Sequence, residues 1–181
     1  MLFRLDDYLF HLLYAGGRGP LTTAAIALSA LGGGWSLLAL APLLYRVRTR
    51  RFALWLLGTL VATAAIVFVL KGLIGRGRPC TVYAGLRLAL ANSPTDCSLP
   101  SGHAAGCFAF ALFTTQVLLA RRRPGDPGAI AAAAGILLFA TCVALSRVVL
   151  GFHFPLDVTA GAILGAAMGA AAGRQFARPG S

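Results

Sequence analysis

The sequence predicts an all-α protein, an integral membrane bundle of five transmembrane helices preceded by an N-terminal interfacial amphipathic helix. Three observations predict this fold. Hydrophobic residues make up 58% of the 181 residues, which is more than a soluble core of this size needs. Most of them lie in five long uncharged runs, each close to the ~20 residues with which a helix crosses a bilayer. Short arginine-rich loops separate several of these runs.

The five runs define the transmembrane spans. Backbone polar groups in lipid must form hydrogen bonds within their own segment, so helices are the only plausible structure for these runs. We expect one membrane-embedded domain over residues 1–181, with an outer loop at 76–100 between the second and third spans. The predicted spans cover residues 21–45, 52–74, 101–120, 129–149 and 156–173.

Residues 1–20 differ from the spans because Asp6 and Asp7 interrupt the apolar pattern early. Leu5, Leu9 and Leu12 recur at helical spacing, with aromatic residues between them. This pattern is typical of a helix that lies in the plane of the membrane interface. The alternative is that the segment is the frayed start of the first span.

The net charge is +11, but the basic residues are distributed according to the predicted sides of the membrane. This distribution argues against a nucleic-acid partner. If five spans alternate, nine of the 16 basic residues fall in loops on one side. Positive loops stay in the cytoplasm, and the alanine-, glycine- and arginine-rich composition suggests a bacterial source. We therefore expect a multi-pass protein of the bacterial plasma membrane. The nine residues are Arg46, Arg48, Arg50, Arg51, Arg121, Arg122, Arg123, Arg174 and Arg178.

Three polar stretches fall at the opposite, outer side: residues 71–79, 100–103 and 146–157. A charged residue at mid-bilayer depth costs ~2.5–3.5 kcal/mol, so such residues are candidates for function. Because the stretches share one membrane face, helix packing can bring them together. The alternative is a buried polar cluster that only holds helices together.

The first stretch supplies cations near the end of the second span. Arg78 precedes Pro79, which disfavours helical geometry at Arg78 and indicates a loop that presents guanidinium groups. Arginine binds phosphate through a bidentate fork, and Arg76 lies in the same loop. Lys71, taken alone, would be an anchor for the span at the interface.

The second stretch begins the third span. Pro100 suits the first turn of a helix, so Ser101 and Gly102 would offer backbone N–H groups at its positive end, which favours anion binding. A helix cap is the alternative. His103 then opens an apolar span that has no other need for a titratable group.

The third stretch joins the fourth and fifth spans. Gly151 permits a turn and Pro155 starts a helix, so Asp157 falls in its first turn. If helical geometry extends back to His153, the two side chains are four residues apart and share a face. A carboxylate that accepts one ring N–H fixes the imidazole tautomer and leaves the other nitrogen as a nucleophile.

Together the stretches resemble the three-part signature of the type-2 phosphatidic acid phosphatase superfamily, which includes membrane lipid phosphatases and vanadium haloperoxidases. The matching elements are Lys71-x6-Arg78-Pro79, Pro100-Ser101-Gly102-His103 and Ser146-Arg147-x5-His153-x3-Asp157. The resemblance implies that His153 attacks phosphorus and forms a phosphohistidine, which Asp157 orients. His103 would protonate the leaving oxygen and then activate water. The implied phosphate-binding residues are Lys71, Arg78, Ser101, Gly102 and Arg147, with Arg76 and Pro100 as accessory residues.

The resemblance implies no metal and no other cofactor. The composition agrees, since the chain has three histidines and no glutamate, too few ligands for a metal cage. In size the chain resembles the small members of this family that are undecaprenyl pyrophosphate phosphatases. We therefore expect it to hydrolyse undecaprenyl pyrophosphate at the extracytoplasmic face. Phosphatidic acid and phosphatidylglycerophosphate are alternative substrates. Non-catalytic phospholipid binding or transport is the alternative of another class.

Two further features leave alternatives open. Cys80 and Cys97 flank the outer loop and would form a disulfide in an oxidising compartment if their geometry allowed it. Small residues at every fourth position let helices approach closely, so the glycine stripe of the fifth span lies either inside the bundle or at a homo-oligomer interface. The stripe consists of Gly161, Gly165, Gly169 and Gly173.

Overall fold

The computed structural model describes residues 2–34, 36, 49–88 and 94–178. These described residues form seven helices and no strand, in agreement with the all-α prediction. The helices are α1 (Leu2–Leu13), α2 (Pro20–Leu31), α3 (Arg50–Ile74), α4 (Pro79–Val82), α5 (Gly102–Ala120), α6 (Pro127–Val149) and α7 (Pro155–Ala177).

Four of these helices, α3, α5, α6 and α7, are long and apolar enough to cross a membrane. The large apolar side chains on their outward faces include Phe68, which is 78% exposed, and Leu138, which is 65% exposed. Apolar side chains in these positions suit contact with lipid, whereas in water such an exposed apolar surface would favour aggregation.

The first predicted span, residues 21–45, falls partly on residues 35 and 37–48, which lie outside the described residues, as do Arg46 and Arg48. In the described part, α2 ends at Leu31 instead of continuing as one unbroken helix. Three successive glycines follow it, and glycine is a poor helix former. Gly32 also packs closely on α6, because an added Cβ would lie 2.3 Å from the side chain of Val143.

Helix α1 has two different faces. Leu5, Tyr8 and Leu12 are more than half exposed, whereas Asp6 and Phe10 are buried. The buried face packs on one end of the bundle, where Phe10 contacts the rings of Tyr83 and Phe154. The exposed apolar face is the one we expect to lie in the membrane interface, and that location stays a prediction.

Helix α5 lies at the centre of the bundle, since it packs against α3, α6 and α7. Its Phe113 is fully buried, together with Leu56 of α3 and Val143 of α6. The many dispersion contacts of buried side chains of this size hold the helices together inside the bundle. One end of the bundle carries the three polar stretches.

The glycine stripe of α7 packs on α5. A Cβ added at Gly165 would lie 2.0 Å from the carbonyl oxygen of Ala105, and one at Gly169 would lie 2.2 Å from that of Ala109. Only glycine permits this backbone approach. The stripe is therefore a packing contact within the chain, as one of the two alternatives predicted, and homo-oligomer formation stays a prediction.

The stripe also brings two of the polar stretches together. Gly161, at the outer end of the stripe, lies against the backbone of Ser101. The N–H of Ser101 donates a hydrogen bond of 2.9 Å to the carbonyl oxygen of Asp157. The start of α5 is thereby fixed to the first turn of α7.

Candidate active site

The predicted nucleophile, His153, lies in the turn between α6 and α7 and is 2% exposed. Gly151 makes this turn with a φ of +78°, a backbone conformation that residues other than glycine rarely adopt. The carbonyl oxygen of Arg147 accepts hydrogen bonds from the N–H groups of Phe152 and His153. The end of α6 therefore fixes the backbone of His153, which carries the imidazole.

The contacts of the His153 ring distinguish its two nitrogens. Nε2 lies 3.1 Å from Nη1 of Arg78, and Nδ1 lies 3.3 Å from Oγ of Ser98. Arginine only donates hydrogen bonds, so Nε2 is the acceptor and the ring proton is on Nδ1. The lone pair of Nε2 consequently faces the cationic side of the site.

Burial lowers the pKa of His153 to about 4, helped by the positive charges of Arg78 and Arg147 and opposed by Asp157. The imidazole is therefore neutral near neutral pH. A neutral imidazole retains the lone pair that a nucleophile requires.

The Asp157 side chain is fully buried and saturated with hydrogen bonds. Its Oδ1 accepts a bond of 2.6 Å from Arg76. Its Oδ2 accepts one of 2.5 Å from the hydroxyl of Ser98 and one of 2.8 Å from the N–H of Phe154. These donors offset the cost of burying a carboxylate and fix its orientation.

Ser98 lies between His153 and Asp157, a role that the sequence did not reveal. Nδ1 of His153 is 3.7 Å from Oδ2 of Asp157, too far for the direct hydrogen bond that their spacing predicts. Ser98 accepts from the imidazole and donates to the carboxylate. The physical reason is that His153 precedes α7, so helical face-sharing does not reach it.

Arg78 is 4% exposed and lies in extended backbone before Pro79, as predicted. Its Nη1 donates to the carbonyl oxygen of Phe152 at 2.9 Å, and its Nη2 donates to Oδ1 of Asp96 at 2.7 Å. Together with the contact to His153, these bonds hold the guanidinium beside the predicted nucleophile.

Asp96 joins two of the predicted phosphate-binding cations. Its Oδ2 accepts a hydrogen bond of 2.5 Å from Lys71, while its Oδ1 is bonded to Arg78. Burial raises the pKa of Asp96, but the hydrogen bond from Lys71 and the charge of Arg78 outweigh it and lower the pKa below its usual value. An ionised carboxylate thus contacts the cations that the sequence assigns to phosphate.

Arg147, another predicted phosphate-binding residue, is 7% exposed. Its Nη1 donates to the hydroxyl of Ser29, and its guanidinium stacks on the ring of Phe152 at 4.4 Å. Its buried Nε has no hydrogen-bond partner among the described residues. A buried donor without a partner is costly, which suits a site that receives an anion.

Arg76 takes a different place from the one expected for an accessory phosphate-binding residue. Its Nη1 donates to Asp157 and its Nη2 donates to Asp6 of α1 at 2.5 Å. The guanidinium also stacks on the ring of Phe154. Arg76 therefore binds two carboxylates, which offer a guanidinium the same planar pair of oxygens as a phosphate does.

The second stretch also differs in detail from its prediction. Helix α5 begins at Gly102 with Ser101 as its N-cap, so Pro100 precedes the helix and does not lie in its first turn. The hydroxyl of Ser101 accepts the N–H of Ala104, as N-cap serines do. The N–H of Ser101 is bonded to Asp157, so of the two predicted anion-binding amides only that of Gly102 is left to face a ligand.

His103 lies at the polar end of a cavity of about 420 Å³ between α3 and α5. Lys71 lines the same end, and the remainder of the wall is mostly apolar, with Leu60 and Val67 beside the polar Thr63. The positive charges of Arg147, Arg78 and Lys71 all act on His103. The cavity thus offers an apolar chamber that leads to a cationic end.

Two negative findings complete the description of the site. Cys80 and Cys97 are both free thiols, so the disulfide that the sequence left open is not formed. Within the described ranges, no group of three or more histidine, cysteine, aspartate or glutamate residues is placed to hold a metal ion.

The comparison with known families decides where the chain belongs. The sequence model of the PAP2 superfamily matches residues 52–180. The chain belongs to the PAP2 superfamily. This confirms the resemblance seen in the three sequence stretches.

Curated relatives of this PAP2 protein are phosphatases. The decaprenylphosphoryl-5-phosphoribose phosphatase of Mycobacterium tuberculosis H37Rv is 35% identical over 153 residues, which cover 80% of this chain and 76% of the relative. The enzyme of that name from Mycolicibacterium smegmatis is 37% identical over 151 residues, which cover 80% of this chain and 73% of the relative.

Solved structures share this fold. Aquifex aeolicus LpxE superposes with a TM-score of 0.74 at 26% identity, covering 93% of this chain and 94% of its own. The transmembrane PAP2-type phosphatidylglycerolphosphate phosphatase of Bacillus subtilis superposes with a TM-score of 0.80 at 22% identity. The superposition covers 97% of this chain and 85% of the Bacillus subtilis chain. This PAP2 chain is thus a multi-pass membrane protein and a lipid phosphatase, which decides against non-catalytic lipid binding or transport.

Proposed function

We propose that this lipid phosphatase removes a phosphoryl group from a polyprenyl-linked lipid at the extracytoplasmic membrane face, through a phosphohistidine formed on His153. One observation carries the proposal above all others. His153 presents a neutral imidazole with its free nitrogen beside Arg78, and the positive charge of Arg78 also acts on His103, which lines a mostly apolar cavity.

Substrate binding begins with an exchange of anions. The phosphoryl oxygens replace the Asp96 carboxylate as acceptors for Lys71 and Arg78, because phosphate and carboxylate accept the same charge-assisted hydrogen bonds. The unpartnered Nε of Arg147 and the N–H of Gly102 then provide further donors. Fixed cations arranged in this way stabilise the charge that develops on the transferring group.

The first chemical step transfers the phosphoryl group to the enzyme. The lone pair on Nε2 of His153 attacks phosphorus, and the bond from phosphorus to the leaving oxygen breaks. His103 donates a proton to that oxygen as a general acid. The imidazole becomes positively charged when its Nε2–P bond forms, and the negative charge of Asp157, relayed through Ser98, stabilises it.

The second step regenerates the enzyme. His103, now deprotonated, takes a proton from water, whose oxygen attacks phosphorus. The Nε2–P bond breaks and its electron pair returns to His153. Inorganic phosphate leaves, and Asp96 again binds Lys71 and Arg78.

The apolar cavity and the curated relatives support a polyprenyl substrate. The cavity wall is mostly apolar and carries Lys71 and His103, which suits a hydrocarbon chain with a phosphorylated head. The relatives are named for a decaprenyl lipid that carries a phosphoribose. They favour a phosphomonoester on such a lipid over the undecaprenyl pyrophosphate that the sequence led us to expect, although both share the polyprenyl tail.

The extracytoplasmic location follows from the distribution of charge. Arg121, Arg122 and Arg123 connect the ends of α5 and α6 that are opposite to the site. Because positive loops stay in the cytoplasm, the site faces the other side of the membrane.

A substrate panel tests the proposal. Purified protein in detergent is given decaprenylphosphoryl-5-phosphoribose, undecaprenyl pyrophosphate, phosphatidic acid and phosphatidylglycerophosphate, and released phosphate is measured. We expect kcat/KM to be at least about tenfold higher for the better polyprenyl lipid than for either glycerolipid. A preference for a glycerolipid would overturn the polyprenyl assignment, and undiminished phosphate release by His153→Ala would overturn the mechanism.

A further inference from the structure

The N-terminal helix α1 brings a carboxylate into contact with the candidate active site. Asp6 is 5% exposed, although it lies near the start of the chain and outside the matched family region of residues 52–180. Its two oxygens have different partners. Oδ2 accepts from Arg76 at 2.5 Å, and Oδ1 accepts from the N–H of Leu156 at 2.7 Å.

The ion pair between Asp6 and Arg76 continues to Asp157. Arg76 uses Nη2 for Asp6 and Nη1 for Asp157, so one guanidinium joins the two carboxylates. Two carboxylates and one guanidinium leave a net charge of one negative unit. If Asp6 were neutral, Arg76 would cancel the charge of Asp157, and no negative charge would remain to stabilise a cationic imidazole at His153.

The second contact of Asp6 fixes the backbone that carries Asp157. Leu156 is in the first turn of α7, and the N-cap residue Phe154 has no side chain that accepts a hydrogen bond. The carboxylate of Asp6 supplies that acceptor from another helix, at the end of α7 where a negative charge is favourable.

The packing of α1 holds Asp6 in this position. Phe10 lies one turn further along the same face of α1 and is fully buried. Its ring contacts those of Phe154 and Tyr83, with centroids 5.3 and 5.8 Å away. Phe10 therefore fixes α1 to the bundle one turn beyond the Asp6 contact.

We propose that Asp6 is a positioning residue that acts through Arg76 on Asp157. The N-terminal helix thereby contributes a side chain that supports the active site. The inference rests on the proposed roles of His153 and Asp157. It predicts that Asp6 affects formation of the phosphohistidine and has little effect on lipid binding.

The test compares Asp6→Asn with the control Asp7→Asn, which makes the same chemical change at the neighbouring position of α1. Each protein is given the panel lipid that the wild type hydrolyses fastest, carrying ³²P in the phosphate. Rapid quenching measures the rate at which phosphohistidine forms and the number of active sites. Counting sites separates a loss of rate from a loss of folded protein.

We expect Asp6→Asn to lower kcat and the rate of phosphohistidine formation by about tenfold, with KM nearly unchanged, while Asp7→Asn matches the wild type. Asp6→Glu keeps the charge and should recover most of the rate. This variant also supplies the test if Asp6→Asn does not fold. Its longer side chain shifts the carboxylate relative to Arg76 and Leu156, so a positioning role predicts a rate of phosphohistidine formation per site that falls measurably short of the wild type, whereas a role in packing alone leaves the rate per site unchanged.

The outcomes separate the two claims. If Asp6→Asn loses thermal stability but keeps the wild-type rate per site, Asp6 is only structural and the inference is overturned. If His153→Ala still turns over substrate, the proposed function itself is wrong, whatever the Asp6 variants do.

Discussion

Nη1 of Arg78 lies 3.1 Å from Nε2 of His153, and this contact assigns the ring proton to the opposite nitrogen. The same guanidinium is bonded to the Asp96 carboxylate. Arg78 therefore contacts both the predicted nucleophile and the anion that a substrate phosphate would replace.

Replacing Ser98 should slow the chemistry and leave substrate binding intact. Ser98→Ala removes the hydroxyl that joins His153 to Asp157, so the cationic imidazole loses its link to the carboxylate. We expect kcat to fall by about ten- to a hundredfold with KM within about threefold. Thr141→Ala is the control, because its hydroxyl donates to the carbonyl oxygen of Leu137 within α6. A threefold or smaller effect on kcat would contradict the relay.

Neutralising Asp96 should strengthen binding of phosphate. Asp96→Asn removes the carboxylate that contacts Lys71 and Arg78, so an incoming anion no longer displaces a charged competitor. The inhibition constant for inorganic phosphate should fall on the order of tenfold, as measured by inhibition of lipid hydrolysis. Asp7→Asn controls for the loss of one negative charge at the same end of the bundle. Weaker inhibition by phosphate in Asp96→Asn would show that Asp96 helps to bind the substrate.

The pH dependence of kcat/KM should show an acid limb from His153. The folded-state pKa is lowered to about 4 from an ordinary value of 6.5, so activity is lost only as the pH falls through about 4 and Nε2 gains a proton. His11→Gln should keep this limb. A limb near 6.5 in the wild type would mean that His153 is not buried as described.

The same shift makes a prediction about stability. Between the ordinary pKa of 6.5 and the folded-state value of about 4, the unfolded chain binds a proton at His153 that the folded protein does not. The contribution of His153 to the free energy of unfolding should therefore decrease as the pH falls through this interval and become constant below it. Denaturant titrations of wild type and His153→Gln across that interval measure the difference.

The packing of α7 on α5 should tolerate no side chain at Gly165. A Cβ there would lie 2.0 Å from the carbonyl oxygen of Ala105, so Gly165→Ala should reduce stability by ~1–3 kcal/mol or more. It should also lower activity, because this packing sets the position of Asp157 relative to Ser101. Gly135→Ala in α6 is the matched control, since a Cβ there meets nothing within 4 Å. Equal melting temperatures for the two variants would contradict the packing described.

Much of the site could be predicted because the membrane restricts where polar residues can lie. Lys71, Arg78, His103 and His153 are far apart in sequence, but hydropathy placed them at one membrane face. The family and the enzyme class followed from their pattern and are confirmed by the comparisons.

The remaining contacts depend on tertiary structure that leaves no periodic signal. Ser98 and Asp96 are single polar residues in a loop, and Asp6 reaches the site only because α1 packs on the bundle. Arg76 was assigned to phosphate because its partner Asp6 is 70 residues away. The end of α2 at Leu31 reflects the glycines that follow it and their contact with Val143.

Trapping the covalent intermediate tests the central claim most directly. Protein is mixed with the ³²P-labelled panel lipid that it hydrolyses fastest, quenched in alkali, which preserves phosphohistidine, and digested for mass spectrometry. The account predicts label on His153, a longer-lived labelled enzyme in His103→Ala, and no label in His153→Ala. Label on another residue, or rapid turnover by the wild type without any labelled histidine, would contradict it.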